Sequence, residues 1–386
     1  MDVATFLRQS GVLVVAGKGG VGKTTVTAAL ARLAADHGLG VLVVDLEGKS
    51  GVPTAFGRGG SLDYDEVELY RAGSDEPATA TGARADGTGG RGEQGRVPPG
   101  AVRARRITPD DALLEYLADH GMRRVSKRLV STGVLDVVAT AIPGIRDILV
   151  LGKVKQLERA GVADVVLVDA PATGHAMTFL SSARGLLDAA RSGPVRAQAA
   201  EVVELLSDPA RCQVVLVTLP EEMPVNEVIE AAYQLEDRIG VALGPVVVNA
   251  CLPDLPGLRA DPAEAAEQAG VPLPDDQRRA LADAASFRLH RRGLQQEQLD
   301  RLAEELPLAQ LLLPAVPGSG IGPSQLAVLA DALAEGIRTA PAGAEGAADA
   351  PAGSRGGDTT GAEGGTGTAG PEPAAADAGR GTGGGR

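Results

Sequence analysis

A short segment near the N-terminus has the residue types and the spacing needed to hold the phosphates of a nucleotide. It matches G-x-x-x-x-G-K-[ST], with Gly17 and Gly22 as the fixed glycines and Lys23 and Thr24 at the end. Backbone N–H groups of such a loop surround phosphate oxygens, and the helix that follows adds a favourable dipole. Lys23 would reach the β- and γ-phosphates, and the Thr24 hydroxyl would ligate Mg²⁺. We therefore predict that a nucleotide is bound with Mg²⁺ and is held by Gly17, Gly19, Gly20, Val21, Gly22, Lys23, Thr24 and Thr25.

A second lysine, Lys18, lies directly after the first glycine of this loop. Like charges around one loop repel each other, so Lys18 needs an anionic partner. Its position alone allows a solvated surface lysine as well as a phosphate ligand. The whole chain has only six lysines, and three of them are Lys18, Lys23 and Lys49, which favours a functional role for Lys18.

Composition excludes several other classes of function. The 386-residue chain has 37 Lys and Arg against 50 Asp and Glu, so its formal net charge is −13. An acidic chain with 2% aromatic residues lacks the basic surface and the stacking side chains of a nucleic-acid-binding protein. No apolar run approaches the length of a membrane-spanning helix, and the N-terminal apolar run is too short for a signal peptide. We expect a cytoplasmic protein with no nucleic-acid partner and no integral membrane segment.

The loop needs a strand before it and a helix after it, and the sequence provides both. Val12–Ala16 is a continuous apolar run, and Thr24–His37 has apolar residues at helical spacing. A second helical pattern runs through Leu326, Leu333 and Ile337. Alternation of such runs and helices predicts an α/β fold, a doubly wound, mostly parallel sheet with helices on both faces. The remaining predicted strands are Val41–Leu46, Val102–Ile107, Val165–Val168, Val214–Leu219, Val246–Asn249 and Leu311–Leu313.

Two segments have too few large apolar residues to form part of a core. Residues 73–100 are rich in Gly, Ala, Thr, Asp and Arg, and residues 340–386 contain no Leu, Ile, Val or Phe. Neither segment buries enough apolar surface to offset its conformational entropy. We predict one P-loop domain over 1–339 with a disordered insertion at 73–100, followed by a disordered tail at 340–386. Helical segments are expected beside the nucleotide at 121–160 and 176–211.

The loop sequence Lys-Gly-Gly-Val-Gly-Lys-Thr-Thr at 18–25 resembles the deviant Walker A loop of the MinD/ParA/nitrogenase-reductase class. In that class two subunits face each other across the nucleotides, and the early lysine reaches the phosphates of the partner. The resemblance implies that Lys18 acts catalytically in trans, beside Lys23 of the same loop. It also implies a dimer with a second copy or a related ATPase subunit.

Further segments resemble one branch of this class, the arsenite-pump (ArsA) and tail-anchored-protein targeting ATPases. Asp-Ala-Pro-Ala-Thr-Gly-His at 169–175 is similar to the second switch of that family, where Asp169 would hold the Mg²⁺ shell. Ile-Pro-Gly-Ile at 142–145 is similar to a segment that begins a helix beside the nucleotide. Val246–Asn249 resembles the strand whose last residue, here Asn249, contacts the adenine. The loop at 314–318, with Pro317, resembles the adenine-side loop.

The first switch departs from the family pattern. The family usually has Asp-Pro-Ala-His after its second strand. This chain instead has Glu-Gly-Lys-Ser at 47–50, with Asp45 two residues before Glu47. The resemblance therefore gives Glu47 the role of positioning the attacking water, and gives Asp45 a place in the metal shell. Glu47 is one methylene longer than Asp, which changes the geometry of water activation. A solvated Glu47 with slow or absent hydrolysis is the alternative.

Several functions within the family stay open. Arsenite transport needs clustered thiolates, and Cys212 and Cys251 are about 40 residues apart. Targeting relatives have a Met-rich groove, whereas this chain has four Met, and the apolar residues of 186–206 fit a core-facing role better. The leading interpretation is a dimeric ATP-hydrolysing switch that controls docking of an unidentified protein client. The alternatives are a MinD/ParA-like positioning ATPase, an arsenite-pump subunit and an ATP-binding regulator with little hydrolysis.

Overall fold

Within the residues that the structure describes, an eight-stranded sheet forms the centre of the fold. The computed structural model describes residues 2–48, 51–74, 95–119, 144–318 and 320–340. In space the strands follow the order β3-β4-β2-β5-β1-β6-β7-β8, and β3 alone runs antiparallel to its neighbour. The strand bounds are β1 Val12–Gly17, β2 Val41–Asp45, β3 Val67–Arg71, β4 Ala101–Arg106, β5 Val165–Ala172, β6 Cys212–Thr218, β7 Val246–Cys251 and β8 Gln310–Pro314.

Helices pack on both faces of this sheet, as predicted. One face has a core that includes Leu30 of the helix after the phosphate loop, and the other includes Leu180 and Leu206. Strands β1 and β2 are buried along their whole length because both faces are covered. The helix bounds are α1 Val3–Arg8, α2 Lys23–Asp36, α3 Gly51–Ala55, α4 Pro109–Asp119, α5 Ile145–Arg159, α6 Thr173–Ala189, α7 Pro194–Ser207, α8 Glu222–Gln234, α9 Pro262–Ala269, α10 Asp275–Glu305 and α11 Pro323–Thr339.

All seven predicted strands are present, with ends shifted by a few residues. The eighth, β3, reads Val-Glu-Leu-Tyr-Arg and has only Leu69 fully buried, so it lacks the continuous apolar run that identified the others. The long helix α10 was also not predicted. Of its 31 residues only Gln295 and Leu302 are buried, so its sequence has little helical apolar periodicity.

The predicted insertion at 73–100 extends too far at its C-terminal end. Val97 is buried, and its N–H donates to the Val162 carbonyl at 2.7 Å. One apolar residue at the right place therefore anchors 95–100 against the core. The rest of the insertion (75–94), the segment 120–143 and the tail from 341 lie outside the described residues. Segment 176–211 forms most of α6, all of α7 and the turn after it, and its apolar residues Leu186, Val202, Leu205 and Leu206 face the core as predicted.

Candidate nucleotide and magnesium site

The phosphate loop connects the buried strand β1 to helix α2. Gly22 is the N-cap of α2 and has φ +94°, a left-handed conformation that favours glycine. A Cβ on Gly22 would also overlap the amide of Asn249. No side chain of the described residues caps α2 at Gly22, so the first N–H groups of the helix stay available to an anion. Gly19 and Gly20 are exposed at the crest of the loop.

Lys23 is buried under the loop, and its Nζ donates to the Lys18 carbonyl at 3.2 Å. Lys18 extends the other way. Its Nζ lies 2.5 Å from Oε1 of Glu227 on α8, and its side chain stays 37% exposed. The loop therefore directs one lysine inwards and the other towards the surface, where Glu227 supplies the anionic partner that Lys18 needs.

Two carboxylates lie side by side on neighbouring strands behind the loop. Asp45 ends β2, and Asp169 lies beside it in register on β5. The Thr24 hydroxyl donates to Oδ2 of Asp169 at 2.7 Å, and the Thr27 hydroxyl donates to Oδ1 at 3.3 Å. The pKa of Asp169 is raised to about 6, because burial and the nearby Asp45 raise it more than the hydrogen bond from Thr24 and the charge of Lys23 lower it.

Asp45 has one carboxylate oxygen engaged and one without a partner. Its Oδ1 accepts the N–H groups of Glu47 and Gly48, each at 2.9 Å, whereas Oδ2 is buried and has no hydrogen bond. Burial raises the pKa of Asp45, opposed by these N–H groups and by the charge of Arg106. A buried acceptor without a donor is costly unless a cation or a water occupies the space.

These residues fit a Mg²⁺ ion. The unpaired Asp45 oxygen, the Asp169 carboxylate and the Thr24 hydroxyl are hard oxygen ligands at the end of the phosphate loop. Within the described ranges, no three His, Cys, Asp or Glu side chains form a metal cluster by themselves. That arrangement is typical of Mg²⁺, which is usually held by one or two protein groups together with nucleotide phosphates and water.

The first switch follows Asp45 directly. Both Glu47 and Gly48 are fixed through their N–H groups to Asp45, which places the Glu47 backbone at the mouth of the site. Gly48 has φ +71°, and the Arg106 guanidinium lies where a Cβ would stand. Lys49 and Ser50 lie outside the described residues.

The second switch differs in extent from the prediction of a loop over 169–175. Strand β5 continues through Ala172, because Ala172 pairs with Gly17 at the end of β1, and α6 begins at Thr173. His175 is exposed in the first turn of α6. Burial raises the pKa of Asp147 in the first turn of α5, and the charge of His175 lowers it. Gly144 is the N-cap of α5, and the rest of the Ile-Pro-Gly segment, Ile142 and Pro143, lies outside the described residues.

Asn249 lies near the end of β7 and contacts the phosphate loop. Its Nδ2 donates to the Val21 carbonyl at 2.9 Å, and its Oδ1 accepts the N–H of Ala250. Strand β8 pairs in parallel with β7, so the exposed Pro317 follows the neighbouring strand end. The structure thus places Asn249 and the Pro317 loop on the β7–β8 side of the phosphate loop, and Asp45 and Asp169 on its β2–β5 side.

Three residues that contact the site were missed from the sequence: Glu227, Thr27 and Arg106. Glu227 is 209 residues from Lys18, and nothing in the helical pattern around it distinguishes it from the other acidic residues of α8. Thr27 could have been predicted from the sequence. It lies one helical turn after Lys23, so it is on the same face of α2.

Fold and loop together define a P-loop nucleotide-binding protein. A model of the CobQ/CobB/MinD/ParA nucleotide binding domain matches residues 12–159. ATPase BagA of Mycobacterium tuberculosis is 34% identical over 364 residues, covering 86% of this chain and 95% of the relative, and a candidate ATPase of Mycobacterium bovis gives the same figures. A candidate arsenical pump-driving ATPase of Halobacterium salinarum is 26% identical over 307 residues, which span 77% of this chain and 40% of that protein.

The chain therefore belongs to the family of P-loop ATPases that carry the CobQ/CobB/MinD/ParA nucleotide-binding domain. The predicted ATPase activity and the predicted relation to MinD and ParA are both confirmed at this level. Among the described residues, every helix is too short or too polar to cross a bilayer, including the 31-residue α10.

The two cysteines do not form a soft-metal site in the part of the chain that the structure describes. Cys212 is completely buried at the start of β6, and burial raises the pKa of its thiol to about 12. Burial likewise raises the pKa of Cys251 to about 11. Both thiols therefore stay protonated at neutral pH, and a protonated thiol is a poor ligand for arsenite.

Proposed function

We propose that this ATPase is a dimeric switch in which two subunits enclose Mg²⁺-ATP and the nucleotide state controls docking of a protein client. The observation that carries the proposal is the divergence of the two loop lysines. Lys23 is buried under its own loop, and Lys18 points to the surface, where Glu227 holds it. A surface lysine beside a phosphate loop is suited to reach the nucleotide of a second subunit, as an arginine finger does.

Within each subunit we assign separate roles to the remaining residues. Gly17 to Thr25 bind the phosphates, and Thr24, Asp45 and Asp169 hold Mg²⁺, which neutralises phosphate charge when bound. Glu47 positions the attacking water from the mouth of the site. Asn249 and Pro317 lie on the adenine side. This arrangement is the one expected for the ArsA and targeting-ATPase branch, and the similarity to a candidate arsenical pump-driving ATPase supports it.

A protein client is favoured over arsenite or a membrane surface. Cys212 is buried and Cys251 is half-buried, and burial raises the pKa of both thiols, so they do not support arsenite capture. The last helix, α11, has Asp331 and Glu335 against Arg338, which does not make the basic amphipathic face of a membrane-binding helix.

Trans action by Lys18 is tested with two complementary variants. Lys18→Ala keeps the phosphate-binding lysine but loses the trans group, and Lys23→Ala does the reverse; each alone should lack ATPase activity. In an equal mixture, half of the randomly paired dimers contain one complete site, so activity should recover to about a quarter of that of wild type. Arg279→Ala, on the exposed part of α10, is the control and should hydrolyse ATP like wild type.

Specific activity of wild type should also rise with protein concentration, because the active form is a dimer. An inactive mixture at every concentration would refute trans catalysis by a homodimer. Wild-type activity that is negligible throughout would instead favour a related second subunit.

The role of Glu47 is tested separately. We expect Glu47→Gln to abolish turnover while ATP still binds, whereas Glu47→Asp should retain turnover. Equal turnover in wild type and both variants would refute the role of Glu47.

A further inference from the structure

Helix α10 contacts the end of β7 through a buried polar side chain. Gln295 is one of two buried residues among the 31 of this helix, and the other, Leu302, is apolar. The Oε1 atom of Gln295 accepts the Leu252 N–H at 2.8 Å, and its Nε2 donates to the Ala250 carbonyl at 3.3 Å. A glutamine amide can make both bonds at once because it has a donor and an acceptor. Gln295 therefore forms hydrogen bonds with the backbone on both sides of Cys251.

The backbone that Gln295 contacts is strained at Ala250. Ala250 has φ +59°, and no other non-glycine residue of the described chain has a positive φ. An L-residue in this left-handed conformation clashes with its own backbone and keeps it only where its surroundings impose it. Pairing between β7 and β8 is also irregular between Val248 and Cys251. The turn is also held by the Ala315 N–H, which donates to the Cys251 carbonyl at 2.8 Å, and the two hydrogen bonds from Gln295 fix the peptide groups on either side of Cys251.

The strained turn carries Asn249, which sets the geometry of the phosphate loop. Asn249 donates to the Val21 carbonyl at 2.9 Å and lies against Gly22. In a trans peptide the carbonyl and the following N–H point in opposite directions. Fixing the Val21 carbonyl therefore fixes the direction of the Gly22 N–H, at the N-cap of α2 where phosphate is bound.

We infer that Gln295 is a positioning residue for nucleotide binding: from α10 it holds the Ala250 turn, which holds Asn249 on the phosphate loop. It touches neither phosphate nor Mg²⁺, so it acts on nucleotide affinity and leaves the chemical step unchanged. The inference rests on nucleotide binding by this loop. It is independent of dimer formation and of a client, so its failure would not be confused with failure of the proposed switch.

The test is Gln295→Met, which keeps the length of the side chain and removes both hydrogen bonds. We expect the dissociation constant of a non-hydrolysable ATP analogue, measured with Mg²⁺ by calorimetry, to rise about tenfold. KM for ATP should rise in parallel while kcat at saturating ATP stays within about twofold. Gln296→Met is the matched control, because Gln296 is exposed on the same helix and bonds only Asp300; it should bind like wild type.

A second substitution separates positioning from general damage. Ala250→Gly removes the strain, since glycine adopts a positive φ freely. In the Gln295→Met background it should restore the affinity to within about twofold of wild type. Wild-type affinity in Gln295→Met, or a loss that Ala250→Gly does not repair, would overturn the inference. If Gln295→Met fails to fold, Gln295→Glu, which keeps the acceptor for Leu252, replaces it under the same two criteria.

Discussion

The buried carboxylate of Asp169 should make the nucleotide-free protein less stable than a neutral variant. The pKa of Asp169 is raised to about 6 from an ordinary value of 3.8, mainly by burial. A difference of about 2 pKa units corresponds to about 3 kcal/mol in favour of the neutral form. In Asp169→Asn the amide replaces the charge and can still bond both Thr24 and Thr27, which hold the carboxylate at 2.7 and 3.3 Å. We expect the variant to gain about 1–3 kcal/mol of unfolding free energy at pH 7.5 without nucleotide.

The dependence on pH follows from the direction of the shift. Between the unfolded pKa of 3.8 and the folded pKa of about 6, the native state binds more protons than the unfolded state, so wild-type stability falls as pH rises through this window. The neutral variant lacks this contribution. The stability difference between variant and wild type should therefore be near zero at pH 4 and reach its full value above about pH 6.5.

Urea unfolding at a series of pH values measures this difference, with Asp283→Asn, an exposed residue of α10, as the control. Mg²⁺-ATP should invert the order, because it stabilises the wild type and Asp169→Asn lacks the charge that favours Mg²⁺. The reasoning is refuted if the variant is less stable than wild type at pH 7.5 without nucleotide, or if the difference does not change with pH.

Three further predictions follow from contacts around the site and the core. Gly22→Ala should abolish ATP binding in a filter-binding assay, since a Cβ there overlaps Asn249 and the residue has φ +94°; binding like that of wild type would show that the loop tolerates a shifted Asn249. Leu206→Ala should cost about 2–5 kcal/mol in urea unfolding because Leu206 is 2% exposed, and a loss below about 1 kcal/mol would contradict the packing. Cys212 should react with a thiol reagent at pH 8 only after unfolding, since it is buried and its pKa is about 12; rapid labelling of Cys212 in the folded chain would disprove its burial.

Much of the fold was predictable because local patterns carried it. Strands buried on both faces appear as continuous apolar runs, and the phosphate loop fixes its neighbours as a strand and a helix, as with β1 and α2. The edge strand β3 was not predictable in this way. Its sequence mixes apolar and charged residues, and it pairs only with β4. Helix α10 was not predicted for a related reason. Most of its surface faces solvent, so its apolar residues do not recur at helical spacing.

The site was predictable wherever a motif lies in one stretch of chain. The loop glycines and Lys23, Thr24, Asp45 and Asp169 stand next to recognisable strands, and the carboxyl ends of parallel strands meet at one edge of a sheet. Contacts between distant segments were not predictable from one sequence. The pairs Lys18–Glu227 and Val21–Asn249 are separated by 209 and 228 residues, and only the folded chain brings them together.

From Gln295, which contacts the turn after β7, helix α10 extends towards its N-terminus as a long arm. At 1.5 Å per residue, the 20 residues from Asp275 to Gln295 span about 30 Å, and most of this arm is exposed. A tilt of about 5° at Gln295 would displace the far end by about 3 Å. The exposed Phe287 and Leu281 lie on this arm, so a movement too small to disturb the core would visibly relocate an apolar surface. Conversely, a partner that bound this arm and tilted α10 would shift Gln295, and with it the turn that holds Asn249.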